Sequence, residues 1–225
     1  MKVGYAVLYN NGELVISQSH TILSKKIYKD YGEFEDTSVP WKNERKRINK
    51  VNILDQVKSN CMKNWFDDCT NLTSLIDFTN LDVSDCADFS RMFYSCRLLQ
   101  DISALENWNV ENGRNFSFMF YSCTSLQDIN ALKNWNVSNG RDFSWMFTNC
   151  NSLQDINGLY NWNVSNGKFF AYIFKDCKLL HIISLPNTME YLSNNMFKNC
   201  NPLLKIHWKN HIYTVEDLLA YEEIF

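Results

Sequence analysis

A fixed step of 27 residues constrains this chain more than anything else in it. The phrase "MFxxC" occurs at 92–96, 119–123 and 146–150, with variants at 65–69, 173–177 and 196–200. The cysteines that close these phrases lie 27, 27, 27, 27 and then 23 residues apart. Other positions keep the step. Three residues after each cysteine stands Leu72, Leu99, Leu126, Leu153, Leu180 or Leu203, and six after it Leu75, Ile102, Ile129, Ile156, Ile183 or Ile206. Further on come Trp108, Trp135 and Trp162, then Val110, Val137 and Val164, then Phe116, Phe143 and Phe170. Repetition at such a period marks stacked units, because one unit cannot bury its own apolar faces.

Within a unit, "LQDI" is short and reads as a strand. "NWNVSNG" carries an Asn-Gly pair, the signature of a turn with positive φ. "DFSWMFTNC" places Phe143, Met146, Phe147 and Cys150 at i, i+3, i+4 and i+7, one face of a helix. The expected architecture is therefore an α/β solenoid of stacked strand–turn–short-helix units. Trp108, Trp135 and Trp162 are expected to stack offset inside it. Its ends need covering. "MKVGYAVLYNNGELVIS" alternates around Asn11-Gly12 and predicts a β-hairpin cap. "YTVEDLLAYEEIF" predicts a helical cap with Thr214 as N-cap, Asp217 three residues in, and Leu218, Leu219 and Ile224 facing the last unit. The divisions are a capping region 1–60, repeats 61–206 and a C-terminal cap 207–225, in one continuous structural domain.

With 45% hydrophobic and 21% charged residues the chain has a globular profile, and its net charge of −3 gives no global bias toward nucleic acid or anionic membrane. No stretch approaches the roughly 20 apolar residues of a membrane span. The N-terminus lacks the apolar run of a signal peptide. "LPNTM" at 185–189 looks like a sortase signal but ends in Met rather than Gly, and no apolar tail follows it. These points favour a cytoplasmic location. No GxSxG, HExxH, P-loop or dinucleotide fingerprint occurs, so no enzyme, cofactor or small-molecule substrate is expected.

The eight cysteines invite a disulfide or zinc reading. Six of them share one repeat position, where parallel side chains meet poorly for the ~90° dihedral of a disulfide, and no CxxC pair exists for zinc. Buried free thiols, acting as small hydrophobes, are expected. His207 and His211 stand four apart without an evident third ligand, and no metal site is expected. Two ladders remain as candidate surfaces. Arg114, Arg141 and Lys168 keep step with Phe118, Trp145 and Tyr172 four residues later. On a helix each cation and ring would share one face, the composition of a binding hot spot. Rings that merely pack against neighbouring units, with cations covering them, fit the same pattern. Asp101, Asp128 and Asp155 form the second ladder, either a strip for a basic partner or cation or a solvated strand face.

The carriers "CTSLQDI", "NWNVSNG" and "FSWMFTNC" resemble the repeats of BspA-like leucine-rich-repeat surface proteins of bacteria, and "YAVLYNNGELVIS", "VPWKNERKRINKV" and "NWFDDCTNLTSL" are similar to that family's leader. The period here is 27 rather than the family's usual 26, and Gly113, Gly140 and Gly167 stand where it usually has Val. The resemblance implies a leucine-rich-repeat-like solenoid that binds a partner, with no catalytic residue. The expected function is non-enzymatic protein binding through a repeat face. Two settings stay open: a phage- or mobile-element-borne intracellular inhibitor of a protein or ribonucleoprotein, and a surface adhesin. Nucleic acid is expected only as part of a ribonucleoprotein.

Overall fold

A computed structural model describes residues 2–219 and the backbone of 223–224. Its elements are β1 (Lys2–Tyr9), β2 (Glu13–Ser17), β3 (Ile27–Glu35), β4 (Lys50–Ile53), β5 (Val57–Lys58), β6 (Ser74–Ile76), β7 (Leu81–Asp82), β8 (Ile182–Ser184), β9 (Leu192–Ser193), β10 (Lys205–Trp208), β11 (His211–Thr214), α1 (Val215–Leu219) and β12 (Glu223–Ile224). One sheet has the order β3-β1-β2-β4-β6, a second β11-β10-β8, and two strand pairs complete the set, β12-β9 and β5-β7. β1 runs antiparallel to both β2 and β3, while β4 joins β2 in parallel and β6 joins β4 in parallel.

The α/β solenoid of strand–turn–short-helix units is overturned. The sheets are mixed and the fold is predominantly β. The single α-helix among the described residues is α1, five residues long. No helix forms at "DFSWMFTNC", and the hydrogen bonds give the reason. The amides of Phe143, Trp145, Phe147 and Asn149 donate outward to the carbonyls of Phe169, Ala171, Ile173 and Lys175 in the next repeat, at 2.7–2.9 Å. Those of Met146, Thr148 and Cys150 donate back three residues, at 3.2–3.3 Å. A helix would turn every amide onto its own chain. Here alternate amides are spent on the neighbour, and Trp145 and Asn149 take left-handed φ of 61° and 62° to aim them.

"LQDI" is likewise not a strand. Asp128 makes one parallel bridge, to Asp155. Its carboxylate then accepts the Asn130 amide at 3.1 Å, and the chain turns into the 3-10 segment Asn130–Leu132. The Asn-Gly reading is corrected too. Gly113, Gly140 and Gly167 are not among the glycines with positive φ, which are Gly12 and Gly32. They are glycines for space: a Cβ on Gly140 would run into Phe143 Cζ and lie 2.9 Å from the Val137 carbonyl. The preceding asparagine has its own task. Asn112, Asn139 and Asn166 each donate from Nδ2 to a carbonyl of the repeat before, at 2.8–2.9 Å.

Equivalent side chains lie over one another. Phe66, Phe93, Phe120, Phe147, Phe174 and Phe197 form a ring column at 5.6–5.8 Å. Phe89, Phe116, Phe143 and Phe170 form a second at 5.3–5.4 Å. Trp108, Trp135 and Trp162 form a third at 6.4–6.5 Å, and each indole N–H donates to a carbonyl 30 residues back, those of Phe78, Leu105 and Leu132. In the last repeat Leu204 is the buried residue, and Leu203 is 74% exposed. At the C-terminal end Thr214 and Asp217 exchange bonds as expected, the Asp217 amide to Thr214 Oγ1 at 3.1 Å and the Thr214 amide to the Asp217 carboxylate at 2.6 Å. Leu218 is buried; the side chains of Leu219 and Ile224 lie outside the described residues.

All eight cysteines are free thiols, seven buried and Cys61 half-buried. Cys96, Cys123, Cys150 and Cys177 each donate Sγ–H to the carbonyl of the column phenylalanine 30 residues earlier, at 3.1–3.2 Å. That carbonyl already accepts an amide, so the thiol takes its second lone pair. Burial pushes these thiols well above their ordinary value of 9.0, and Cys86 and Cys200 up to about 12. The sign follows from linkage. The unfolded chain loses these protons first, so their stabilising contribution is whole below pH 9 and drains as pH rises toward the folded values. The urea midpoint is expected to fall above about pH 9, less steeply in Cys123→Ala/Cys150→Ala than in the parent. Equal slopes would show that the thiols do not couple to folding.

Candidate functional site

The alternation that excludes a helix also sorts side chains. Phe143, Met146, Phe147 and Cys150 are buried, and Trp145 stands half-buried on the outside. The same outward position, five before the cysteine, holds Asn64, Arg91, Phe118, Trp145 and Tyr172. The position two before the cysteine holds Asp67, Tyr94, Tyr121, Thr148 and Lys175. Together they build an aromatic terrace. Phe118 lies on Trp145 at 5.7 Å and Trp145 on Tyr172 at 4.3 Å. Tyr94 stacks on Tyr121 at 4.7 Å, and Tyr121 reaches Phe118 at 5.8 Å and Trp145 at 6.4 Å.

Phe118, Trp145 and Tyr172 hold φ of 58°, 61° and 59°. Left-handed φ is uncommon for bulky residues and easier for Asn, which occupies this position at Asn64 with φ 61°. The rings are therefore not there for the backbone's sake. Strained aromatic positions on a surface point toward function.

The six ladder residues divide. Phe118, Trp145 and Tyr172 come together in the terrace. Arg114, Arg141 and Lys168 are exposed and follow a separate row, in which the Arg141 amide donates to the Arg114 carbonyl and the Lys168 amide to the Arg141 carbonyl, both at 2.8 Å. Without a helix, the spacing of four no longer puts cation and ring on one face. Among the described residues, the cations over terrace rings are Arg91, 3.9 Å from the Tyr94 centroid, and Lys175, 5.8 Å from that of Trp145. Neither they nor Tyr94 and Tyr121 were picked out from the sequence, although the position two before the cysteine was open to the same periodic reading.

Asp101, Asp128 and Asp155 each use a carboxylate oxygen to accept the amide two residues on, of Ser103, Asn130 and Asn157. They are turn-formers; the second oxygen of Asp155 also accepts Asn130 Nδ2 at 3.4 Å, and Asp101 and Asp128 lie on a hollow that Glu106 and Lys133 also line. No group of three or more His, Cys, Asp or Glu among the described residues is placed to hold a metal ion. His211 Nδ1 lies 2.9 Å from the Lys209 carbonyl, and His20 Nε2 lies 2.7 Å from the Asp30 carboxylate. No helix among the described residues is long and apolar enough to cross a membrane.

At the N-terminal end of the terrace the chemistry becomes ionic. Arg91 lies 3.5 Å from Asp67, whose carboxylate is largely buried. Burial pushes the Asp67 carboxyl above its ordinary value, against the pull of Arg91 and Arg45.

Repeat unit, terrace and caps belong to a chain whose family is now identifiable. Residues 60–185 and 101–208 match the family described as "Mycoplasma protein of unknown function, DUF285". The protein is a member of that family. Comparison with curated proteins gave no match.

Proposed function

We propose that the chain is a non-enzymatic protein-binding module that takes a protein partner on the aromatic terrace of Phe118, Trp145 and Tyr172 with Tyr94 and Tyr121. One observation carries this reading: the terrace rings spend their faces on one another. Phe118 and Trp145 lie 5° from parallel, and Tyr94 and Tyr121 4°. A nucleobase needs a free ring face on which to stack. Ring edges and tyrosine hydroxyls remain, and these suit the mixed apolar and polar side chains of a protein surface. The likeness of the repeats to BspA-like surface proteins supports a binding role as well.

Affinity capture from lysate and from intact cells tests the proposal. Trp145→Ala is expected to weaken capture by at least about tenfold, the scale of a buried aromatic anchor. Capture unchanged by Trp145→Ala and by Tyr121→Ala would remove the terrace as the site. A partner found in lysate places the module in the inhibitor setting, and one found on intact cells in the adhesin setting.

A further inference from the structure

Beside the terrace, where the N-terminal cap meets the first repeat, lies a groove of about 510 Å³ lined by Tyr28, Lys42, Arg45, Lys46, Arg47 and Asp68. Glu44 sits among these cations but does not neutralise them. One of its oxygens accepts Lys29 at 2.8 Å and the other the Tyr31 hydroxyl at 3.1 Å. Apart from Glu44, Asp68 is the one carboxylate on the groove's lining, beside four cations, and Asp67 next to it also acts on Arg45. Lys42, Lys46 and Arg47 are exposed. Arg45 is half-buried, with one guanidinium nitrogen donating to the Asn64 carbonyl at 3.2 Å and its Nε buried without a partner. Arg47 lies over Tyr28, 4.1 Å from the ring centroid.

The groove adjoins the terrace through the backbone: the amide of Asp68, on the groove's lining, donates to the Tyr94 carbonyl at 2.7 Å. Asn64, which Arg45 holds, occupies the repeat position of Arg91, Phe118, Trp145 and Tyr172. Arg91 stands beside that junction, tied to Asp67, the residue before Asp68, and lying over Tyr94. A partner following the ring edges toward the N-terminus thus runs off an aromatic surface onto a basic one. In a chain of net charge −3 this concentration of cations is local, not a global bias.

We infer that the groove takes the carboxylate side chains of an acidic segment of the partner protein, whose apolar side chains lie on the terrace. The inference rests on the protein-binding reading above. Carboxylates suit the groove better than a nucleic-acid strand. Arg47 already covers Tyr28, and Arg91 covers Tyr94, so the rings nearest the cations offer no platform for a base. Separate carboxylates can each meet a guanidinium or ammonium while avoiding Asp68; a continuous phosphate chain would pass it at close quarters.

The test titrates a fluorescein-labelled oligo-glutamate peptide into the full chain, with oligothymidylate of equal charge in a parallel arm. Oligo-glutamate is expected to bind more tightly than oligothymidylate, and to release as salt is raised. Lys42→Glu/Lys46→Glu/Arg47→Glu, all at exposed positions, is expected to weaken it by at least about tenfold with an unchanged melting temperature. Lys205→Glu, at an exposed position that belongs to neither region, leaves it in place. Should the triple variant melt early, Lys46→Glu alone supplies the comparison. Failure of the parent chain to bind oligo-glutamate, equal binding by the reversed variant, or tighter binding of oligothymidylate would each overturn the inference. Capture of the partner that is lost in Trp145→Ala yet indifferent to the reversal would keep the terrace and remove the groove. Oligo-glutamate binding with capture indifferent to Trp145→Ala would keep the groove and remove the terrace.

Discussion

Phe147→Ala lowers the free energy of unfolding by about 3–5 kcal/mol, read from urea denaturation. Phe147 is fully buried between Phe120, at 5.7 Å and 3° from parallel, and Phe174, at 5.8 Å and 4°. Truncation leaves a slot one ring thick. The neighbours cannot slide in to fill it, because the backbone on both sides is fixed. The Phe147 amide donates to the Ile173 carbonyl at 2.9 Å, and its own carbonyl accepts the Cys150 amide and the Cys177 thiol. Cost follows how poorly a site can collapse, so this one belongs at the upper end. Phe169 is the internal control: it is 57% exposed, and Phe169→Ala should cost less than about 0.5 kcal/mol. A loss below about 1 kcal/mol for Phe147→Ala would mean that the ring column does not hold the repeats together.

Gly12→Ala is expected to cost about 2–5 kcal/mol, combining backbone strain with overpacking. Gly12 sits at the hairpin tip with φ 84°, which an L side chain resists. A Cβ there would lie 2.5 Å from the Arg47 carbonyl and 2.6 Å from Asn49 Nδ2. Neither obstacle can withdraw cheaply. The Asn49 amide donates to the Gly12 carbonyl and Asn49 Nδ2 to the Asn11 carbonyl, both at 2.9 Å. These bonds stitch the hairpin to the segment that leads into β4, next to the parallel pairing of β2 with β4. The substitution should therefore open that seam as well as lower the denaturation midpoint, visible as faster proteolysis between β2 and β4. A midpoint within experimental error of the parent's would show that the hairpin tip is not held there.

The 27-residue step, the hairpin around Gly12 and the Thr214–Asp217 cap were all legible, because each rests on chemistry local to a few residues. The helix was not. Phe143, Met146, Phe147 and Cys150 share a face in a helix, and they also share one in two consecutive turns that reach back three residues. Apolar spacing cannot separate the two. A better cue lay in the polar residues: Asp68, Ser95, Ser122, Asn149, Asp176 and Asn199 recur just before the cysteine, all with positive φ. Four of the six are Asn or Asp, which tolerate that conformation best. The Asp-x-Asn or Asp-x-Ser order after "LQ" was likewise a turn signal, since an aspartate carboxylate can accept the amide two residues on. At the candidate site the rings could be read because they keep the repeat step. Their pairing with Arg114, Arg141 and Lys168 failed because it depended on helical spacing. The cations of "KNERKR" stood only within the leader-like stretch "VPWKNERKRINKV", since only the folded chain brings them beside Tyr28 and Asn64.

The buried thiols carry a consequence for measurement. Cys96, Cys123, Cys150 and Cys177 have the same chemistry and nearly the same surroundings, and differ in little but their place along the molecule. A thiol-specific reagent can reach any one of them only after that stretch breathes open. The modification rates, read cysteine by cysteine in a mass spectrometer, would rank the local opening energies from one end to the other with reporters that the chain already contains.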